Sequence, residues 1–377
     1  MSENLKNRIE RQLTEIEARG LRRVLQPPAP ESIDLSSNDY LGLANDARLK
    51  RAMIAEIEKS GCGATASRLL RGEQEVFARV EERFAAFKNV ERALFFGSGY
   101  AANIGVLTAF LEPDDLVLSD ELNHASLIDG IRLSKAQKQV FPHNDVSALE
   151  QLITKTKCRG QKYLVVESLY SMDGDCAPLE DYARLCRAKD VALIVDEAHA
   201  VGVYGARGSG LIEETGIESD VFLSINTAGK ALGVAGAFVA GSDWAIEYLV
   251  QRSRPFIFST APPPGVAAAL DRAIEIIESE PSGRIRLRQL SRFLRDLLNE
   301  NSIRAERSDS QIIPIIIGAS ERAVAVAKNL QAVGFDARAV RPPTVAENTA
   351  RLRLSLNSNL DRNTLARFVE KLKSALP

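Results

Sequence analysis

The sequence predicts an α/β protein: a mostly parallel central sheet with helices on both faces, a smaller C-terminal α+β domain and an N-terminal helical segment. Three observations carry this. Apolar runs such as Leu116-Val117-Leu118 and Leu193-Ile194-Val195 have the length of buried strands, and amphipathic helical patterns separate them. Polar and glycine-rich segments fall just after these runs, where ligands of open α/β sheets bind. Beyond the break at Pro281-Ser282-Gly283 a shorter series of strands and helices follows, enough for a second unit in a chain of 377 residues.

Composition excludes several classes. Hydrophobic residues at 45% and charged residues at 26% fit a folded domain rather than a disordered chain. A formal net charge of −2 gives no electrostatic basis for binding nucleic acid or an anionic membrane. Residues 1–19 are polar, without the apolar core of a secretory signal, and no run of about 18 apolar residues is present. A cytoplasmic protein is expected. Cys62, Cys158, Cys176 and Cys186 lack CxxC spacing, which favours free thiols over disulfides or zinc, and no metal site is expected.

In chain order, Leu5, Ile9, Leu13 and Ile16 mark an amphipathic helix over 3–19 that needs a surface to lie on; Gly20 ends it. Arg22 and Arg23 precede a proline-rich connector, and either is a candidate for an anionic substrate group. Residues 1–38 form this N-terminal part. Helices follow over 46–59 and 73–88. The strand Ala93–Phe96 runs into Gly97-Ser98-Gly99-Tyr100 and a helix, an arrangement that aims free N–H groups and a positive dipole end at one spot. It is either an anion cradle or a plain tight turn; no Gly-Lys-Ser/Thr follows, so it is not a Walker loop.

Strands are expected at 116–119, 139–141, 163–167 and 191–196, with a crossover helix over 179–188. His124 follows the first of these, and His143 is assigned a structural role. Gly205–Gly210 lies too far past its strand to be a dinucleotide fingerprint and reads as a flexible surface loop. Residues 222–224 lead into Thr227-Ala228-Gly229-Lys230-Ala231-Leu232-Gly233, and Ala237–Gly241 returns as a strand. A large domain is expected over 39–264, including a helix at 243–251. The C-terminal domain, 265–377, should hold helices at 265–278, 284–300, 320–333 and 361–375, with strands at 312–317, 336–340 and 351–356.

Gly97–Tyr100, His124, Ser171, Asp196 and His199 all fall just after predicted strands. Asp196 ends a buried strand, and Lys230 follows in a small-residue turn. An amine for a Schiff base and a carboxylate for a pyridinium nitrogen together suit pyridoxal 5′-phosphate.

The motifs Ser37-Asn38-Asp39-Tyr40-Leu41-Gly42, Asn123-His124-Ala125-Ser126, Ser171-Met172-Asp173-Gly174, Asp196-Glu197-Ala198-His199, Thr227-Ala228-Gly229-Lys230, Arg341-Pro342-Pro343-Thr344-Val345 and Thr349–Leu354 occur in this order. In them the chain resembles the α-oxoamine synthases, fold type I, aminotransferase-like pyridoxal-phosphate enzymes, from about Arg22 to its end. Within that family it is most similar to members that join L-alanine to a pimeloyl thioester, on coenzyme A or an acyl carrier protein, in biotin biosynthesis. The resemblance implies an acyltransferase that releases carbon dioxide and a free thiol. It also implies a homodimer with shared sites. Other members, such as those pairing glycine with an acetyl thioester, are the alternative. A non-catalytic binding protein of this fold would be expected to lack Lys230 or Asp196, and both are present.

By the same resemblance Lys230 bonds the cofactor and later moves protons at the substrate α-carbon. Asp196 pairs with the ring nitrogen, and His124 stacks on the ring. Ser171 and His199 reach its hydroxyl side. Gly99, Tyr100 and Thr227 lie at the phosphate, and Ser259 and Thr260 reach the phosphate of a neighbouring subunit. Arg22, Thr344 and Arg353, with His124, handle substrate. The chain departs from the family pattern at Ala346-Glu347-Asn348.

Overall fold

The computed structural model describes residues 3–305 and 308–376. The chain divides into two compact units, Asn38–Ser171 with Asp175–Arg286, and Met1–Ser37 with Met172–Gly174 and Leu287–Pro377.

The larger unit is built on seven strands: β1 (Arg92–Phe96), β2 (Leu116–Asp120), β3 (Gln137–Phe141), β4 (Lys162–Glu167), β5 (Val191–Asp196), β6 (Val221–Thr227) and β7 (Ala237–Gly241). Their order across the sheet is β1-β7-β6-β5-β4-β2-β3. β7 runs antiparallel to both neighbours and the other pairings are parallel. Strand periodicity divides the core. Ala93, Phe95, Phe238 and Ala240 face one side with the helices Glu75–Lys88 and Pro264–Ser279. Leu94, Phe96, Ala237 and Val239 face the other with the helix Gly99–Phe110. Phe84 stacks on Phe238 with ring centroids 4.1 Å apart, which pins the first layer to the sheet.

A division between Pro264 and Gly265 was expected; the larger unit instead extends to Arg286. Ala267, Leu270, Ala273, Ile274 and Ile277 of the helix Pro264–Ser279 are buried in its core, so that helix cannot belong elsewhere. The residues before Ser37 belong with the C-terminal unit. Ile33–Asp34 pairs in parallel with Phe335–Asp336, and Ser355 N donates to Leu35 O at 2.9 Å.

In the smaller unit Ile312–Gly318, Ala350–Ser355 and Ala339–Val340 form an antiparallel sheet with Ala350–Ser355 in the middle. The single strand expected at 336–340 is two short ones, Phe335–Asp336 and Ala339–Val340, serving different sheets. Arg351 Nη1 donates to Asp173 Oδ1 at 2.7 Å, and Ser310 Oγ donates to Gly174 O at 2.7 Å, so Met172–Gly174 is held by this unit. The apolar positions of the helix Glu3–Ala18 are exposed rather than laid on a surface.

The segment Gly205–Gly210, expected to be a flexible surface loop, is hydrogen-bonded throughout and buried from Gly208 to Gly210. Gly202 N donates to Gly208 O at 2.8 Å, Gly210 N to Tyr204 O at 2.9 Å, and Lys88 Nζ to Ser209 O at 2.7 Å. A Cβ on Gly210 would stand 2.2 Å from Glu197 Oε2, so this glycine permits close approach rather than mobility. Among the described residues no helix is long and apolar enough to cross a membrane.

Candidate active site

The acid comes first in the site's construction. The apolar run of β5 places Asp196 at its C-terminal end, in register with Glu167 of β4 and Ile225 of β6. Asp196 is 4% exposed. Its Oδ1 accepts from Ala198 N at 2.8 Å and its Oδ2 from Asn103 Nδ2 at 2.8 Å. The same Asn103 nitrogen donates to Ser126 Oγ at 2.8 Å. Ser126 Oγ in turn lies 2.7 Å from His124 Nδ1, and Ser126 N donates to that nitrogen at 3.3 Å. With Nδ1 accepting, His124 is the Nε2–H tautomer. It also caps the helix Ala125–Ser134, which fixes its backbone. Burial lowers its pKa; Asp196 works against the fall and Lys230 adds to it. A neutral imidazole suits stacking on an aromatic ring.

The lysine lies in the turn joining β6 to β7. Ala228 N donates to Gly236 O at 2.9 Å, and Gly233 N to Lys230 O at 2.8 Å. Gly233 has φ +72°, and a Cβ there would stand 2.6 Å from Ala44 N, so this turn abuts the segment after Tyr40. Lys230 Nζ lies 2.8 Å from His199 Nε2, and His199 Nδ1 lies 2.6 Å from the Tyr40 hydroxyl.

The third part is the turn after β1. Ser98 caps the helix Gly99–Phe110 by accepting from Ala101 N at 3.2 Å. A Cβ on Gly99 would stand 2.3 Å from Thr227 Oγ1, so Thr227, at the end of β6, faces the helix N-terminus across a gap only glycine leaves open. Backbone N–H groups, a helix dipole and a threonine hydroxyl form an anion cradle. The Tyr100 side chain turns away: its ring is exposed and its hydroxyl donates to Asp129 Oδ2. Thr260 is exposed and lines a hollow of about 230 Å³ with Ser98, Ala101, Arg68 and Ser259 of its own chain.

Ser171 lies near the tip of the loop after β4, which starts with Ser168 N donating to Asp196 O at 2.9 Å. His143 holds this loop to the end of β2, its Nε2 2.7 Å from Asp175 Oδ2 and its Nδ1 2.9 Å from Asp120 Oδ1. Burial opposes the charged imidazolium, but the two carboxylates outweigh it and raise its pKa to about 10. Glu167 is buried beside Asp196, its Oε1 without a partner among the described residues. Burial, and then the Asp196 charge, raise its pKa to about 8.

Of the candidate substrate residues, Arg22, Thr344 and Arg353 lie in the smaller unit. Arg22 pairs with Glu17 at 2.7 Å on the surface. Arg341 donates to Gly20 O and, at 3.4 Å, to Arg22 O, and its own carbonyl accepts from Thr344 N at 3.1 Å. It thereby ties the Arg22 segment to the Thr344 loop. Glu347, in the departure from the family pattern, pairs with Arg19 at 2.8 Å. Arg353 is buried and donates to Ser355 Oγ at 2.7 Å.

The larger unit thus joins Asp196 to His124, Lys230 to His199 and Gly99 to Thr227. Reading the sequence missed Asn103, Ser126 and Tyr40 as parts of the site. Asn103 carried a signal: it is a lone amide in an otherwise apolar helix, and a buried amide needs partners. The donor set fits pyridoxal phosphate, with an amine at Lys230, a buried carboxylate at Asp196 and an anion cradle that a Cβ at Gly99 would fill.

A profile of the family described as aminotransferase class I and II matches residues 30–372. The chain is 44% identical to a putative 8-amino-7-oxononanoate synthase of Geobacillus kaustophilus strain HTA426, over 96% of this chain and 92% of that one. It is 43% identical to the 8-amino-7-oxononanoate synthase of Anaeromyxobacter dehalogenans strain 2CP-1, over 97% and 94%. Among solved structures it resembles a serine palmitoyltransferase from S. paucimobilis with a bound PLP–myriocin aldimine. That match has a TM-score of 0.91 at 26% identity, over 97% of this chain and 96% of the other. The chain belongs to the aminotransferase class I and II family and, within it, to the α-oxoamine synthases.

Proposed function

We propose that this protein is a pyridoxal-phosphate-dependent acyltransferase that condenses L-alanine with a pimeloyl thioester, giving 8-amino-7-oxononanoate, carbon dioxide and the free thiol, a step of biotin biosynthesis. The observation that carries this is the shared name of relatives 44% and 43% identical along more than nine-tenths of the chain. The Lys230, Asp196 and Gly99 geometry supports it.

The cofactor, when bound, supplies an electron sink for the carbanion at the alanine α-carbon. Asp196, held by Asn103 and Ala198, would offer its carboxylate to the ring nitrogen. His124, neutral and capped, offers its face to the ring. Thr227 and the N-terminus of the Gly99 helix hold the phosphate. Lys230 would hold the cofactor through its amine and, with that amine free, would take and return the proton at the substrate α-carbon, with His199 Nε2 2.8 Å from its Nζ. Ser171 is assigned to the hydroxyl side of the ring, and Arg22, Thr344 and Arg353 to the substrate carboxylates and acyl chain. A cytoplasmic homodimer, with Thr260 reaching the partner's phosphate site, completes the reading. The thioester is carried by coenzyme A or an acyl carrier protein.

The test is thiol release by the cofactor-loaded protein with alanine, glycine or serine paired with pimeloyl, acetyl, succinyl or palmitoyl thioesters. Alanine with pimeloyl thioester should give the highest kcat/KM. A preference for serine with palmitoyl, or glycine with acetyl, would overturn the substrate assignment.

A further inference from the structure

Tyr40 is fully buried, and its hydroxyl lies 3.0 Å from Asn38 Oδ1 and 2.6 Å from His199 Nδ1. The opposite nitrogen of that imidazole, Nε2, lies 2.8 Å from Lys230 Nζ. The direction of this chain follows from the proton inventory. An amide oxygen only accepts, so the single phenolic proton goes to Asn38. The Tyr40 oxygen then accepts from His199 Nδ1–H, which leaves a lone pair on Nε2. The other end agrees: Lys230 as an ammonium only donates, and Nε2 must accept. The backbone around Tyr40 is braced. Asp39 accepts from Leu43 N at 2.9 Å and from Ala44 N at 3.1 Å, and the lysine turn packs on this segment at Gly233.

We infer that Tyr40 is a positioning residue that fixes His199 as the Nδ1–H tautomer, so that Nε2 is the acceptor for the proton of Lys230. A proton leaving the lysine ammonium passes to Nε2. The resulting imidazolium donates from both nitrogens, to Tyr40 and back to the neutral amine, so no proton is lost from the pair. The inference rests on reading Lys230 as the reactive amine, but the tautomer itself is measured on protein without cofactor.

The sequence holds three histidines, so 15N NMR of histidine-labelled protein gives three pairs of ring nitrogens, with those of His199 identified by their loss in His199→Gln. In the wild type, His199 should show a protonated Nδ1 and an unprotonated Nε2. In Tyr40→Phe it should become a mixture of tautomers. The loaded variant should lose roughly tenfold to a hundredfold in kcat, the range seen for groups that orient metal-bound histidines, with KM for the amino acid little changed. Asn38→Ala, which frees the phenolic proton to turn towards Nδ1, should shift the tautomer in the same direction and serves if Tyr40→Phe does not fold. An Nε2–H tautomer in the wild type, or unchanged tautomers in the variants, would overturn the inference. A wild type with the expected tautomer but no thiol release would instead count against the proposed function alone.

Discussion

Asn103 Nδ2 donates to Asp196 Oδ2 at 2.8 Å, and through Ser126 the same nitrogen reaches His124. One buried amide therefore orients both the acid and the imidazole. Asn103→Leu keeps the volume and removes both donors. Loss of a donor to a buried carboxylate costs about 1–3 kcal/mol of stability. Turnover should fall by roughly tenfold to a hundredfold. Urea denaturation and thiol release check the two effects.

Gly99→Ala would set a methyl 2.3 Å from Thr227 Oγ1. The cradle should narrow and the Thr227 hydroxyl should swing aside. Pyridoxal phosphate should bind about tenfold or more weakly, a loss of at least about 1.4 kcal/mol. Equilibrium dialysis measures this.

Glu167 has its pKa raised from 4.5 to about 8, by burial first and then by Asp196. A raised acid destabilises the fold where the unfolded chain ionises and the native one resists. The penalty is absent below about 4.5 and complete above about 8. Glu167→Gln should therefore be more stable than the wild type at pH 8.5 and gain nothing at pH 4.5. Chemical denaturation at the two pH values decides this, and equal differences at both would contradict it.

His143 shows the opposite sign. Its pKa is raised to about 10 against burial by Asp120 and Asp175. Its stabilisation is complete below the ordinary histidine value of about 6.5 and is lost as pH rises through about 10. His143→Gln should cost about 2–4 kcal/mol at pH 6, and much less at pH 10.5. The His143 clasp also holds the Ser171 loop, so the variant should weaken cofactor binding.

Much of this was legible in the sequence because it depends on local pattern. The apolar runs fixed the parallel strands, and their ends placed Asp196, His124 and the Gly99 turn. What escaped depends on partners distant in sequence. Tyr40 meets His199, and Asn103 meets Asp196, only once the sheet is assembled. Gly205–Gly210 has the composition of a surface loop, yet Lys88, Glu213 and Arg284 hold it by hydrogen bonds from outside the segment. The split at 336–340 arises because Phe335–Asp336 pairs with Ile33–Asp34, a partner about 300 residues away that periodicity cannot reveal.

The direct test of Lys230 as the amine that bonds the cofactor is borohydride reduction of the loaded protein followed by peptide mass spectrometry. One pyridoxyl-phosphate adduct per chain should form, on the peptide carrying Lys230. Lys230→Ala should give none and no turnover, while still binding cofactor non-covalently. An adduct on another lysine, or turnover in Lys230→Ala, would contradict the assignment.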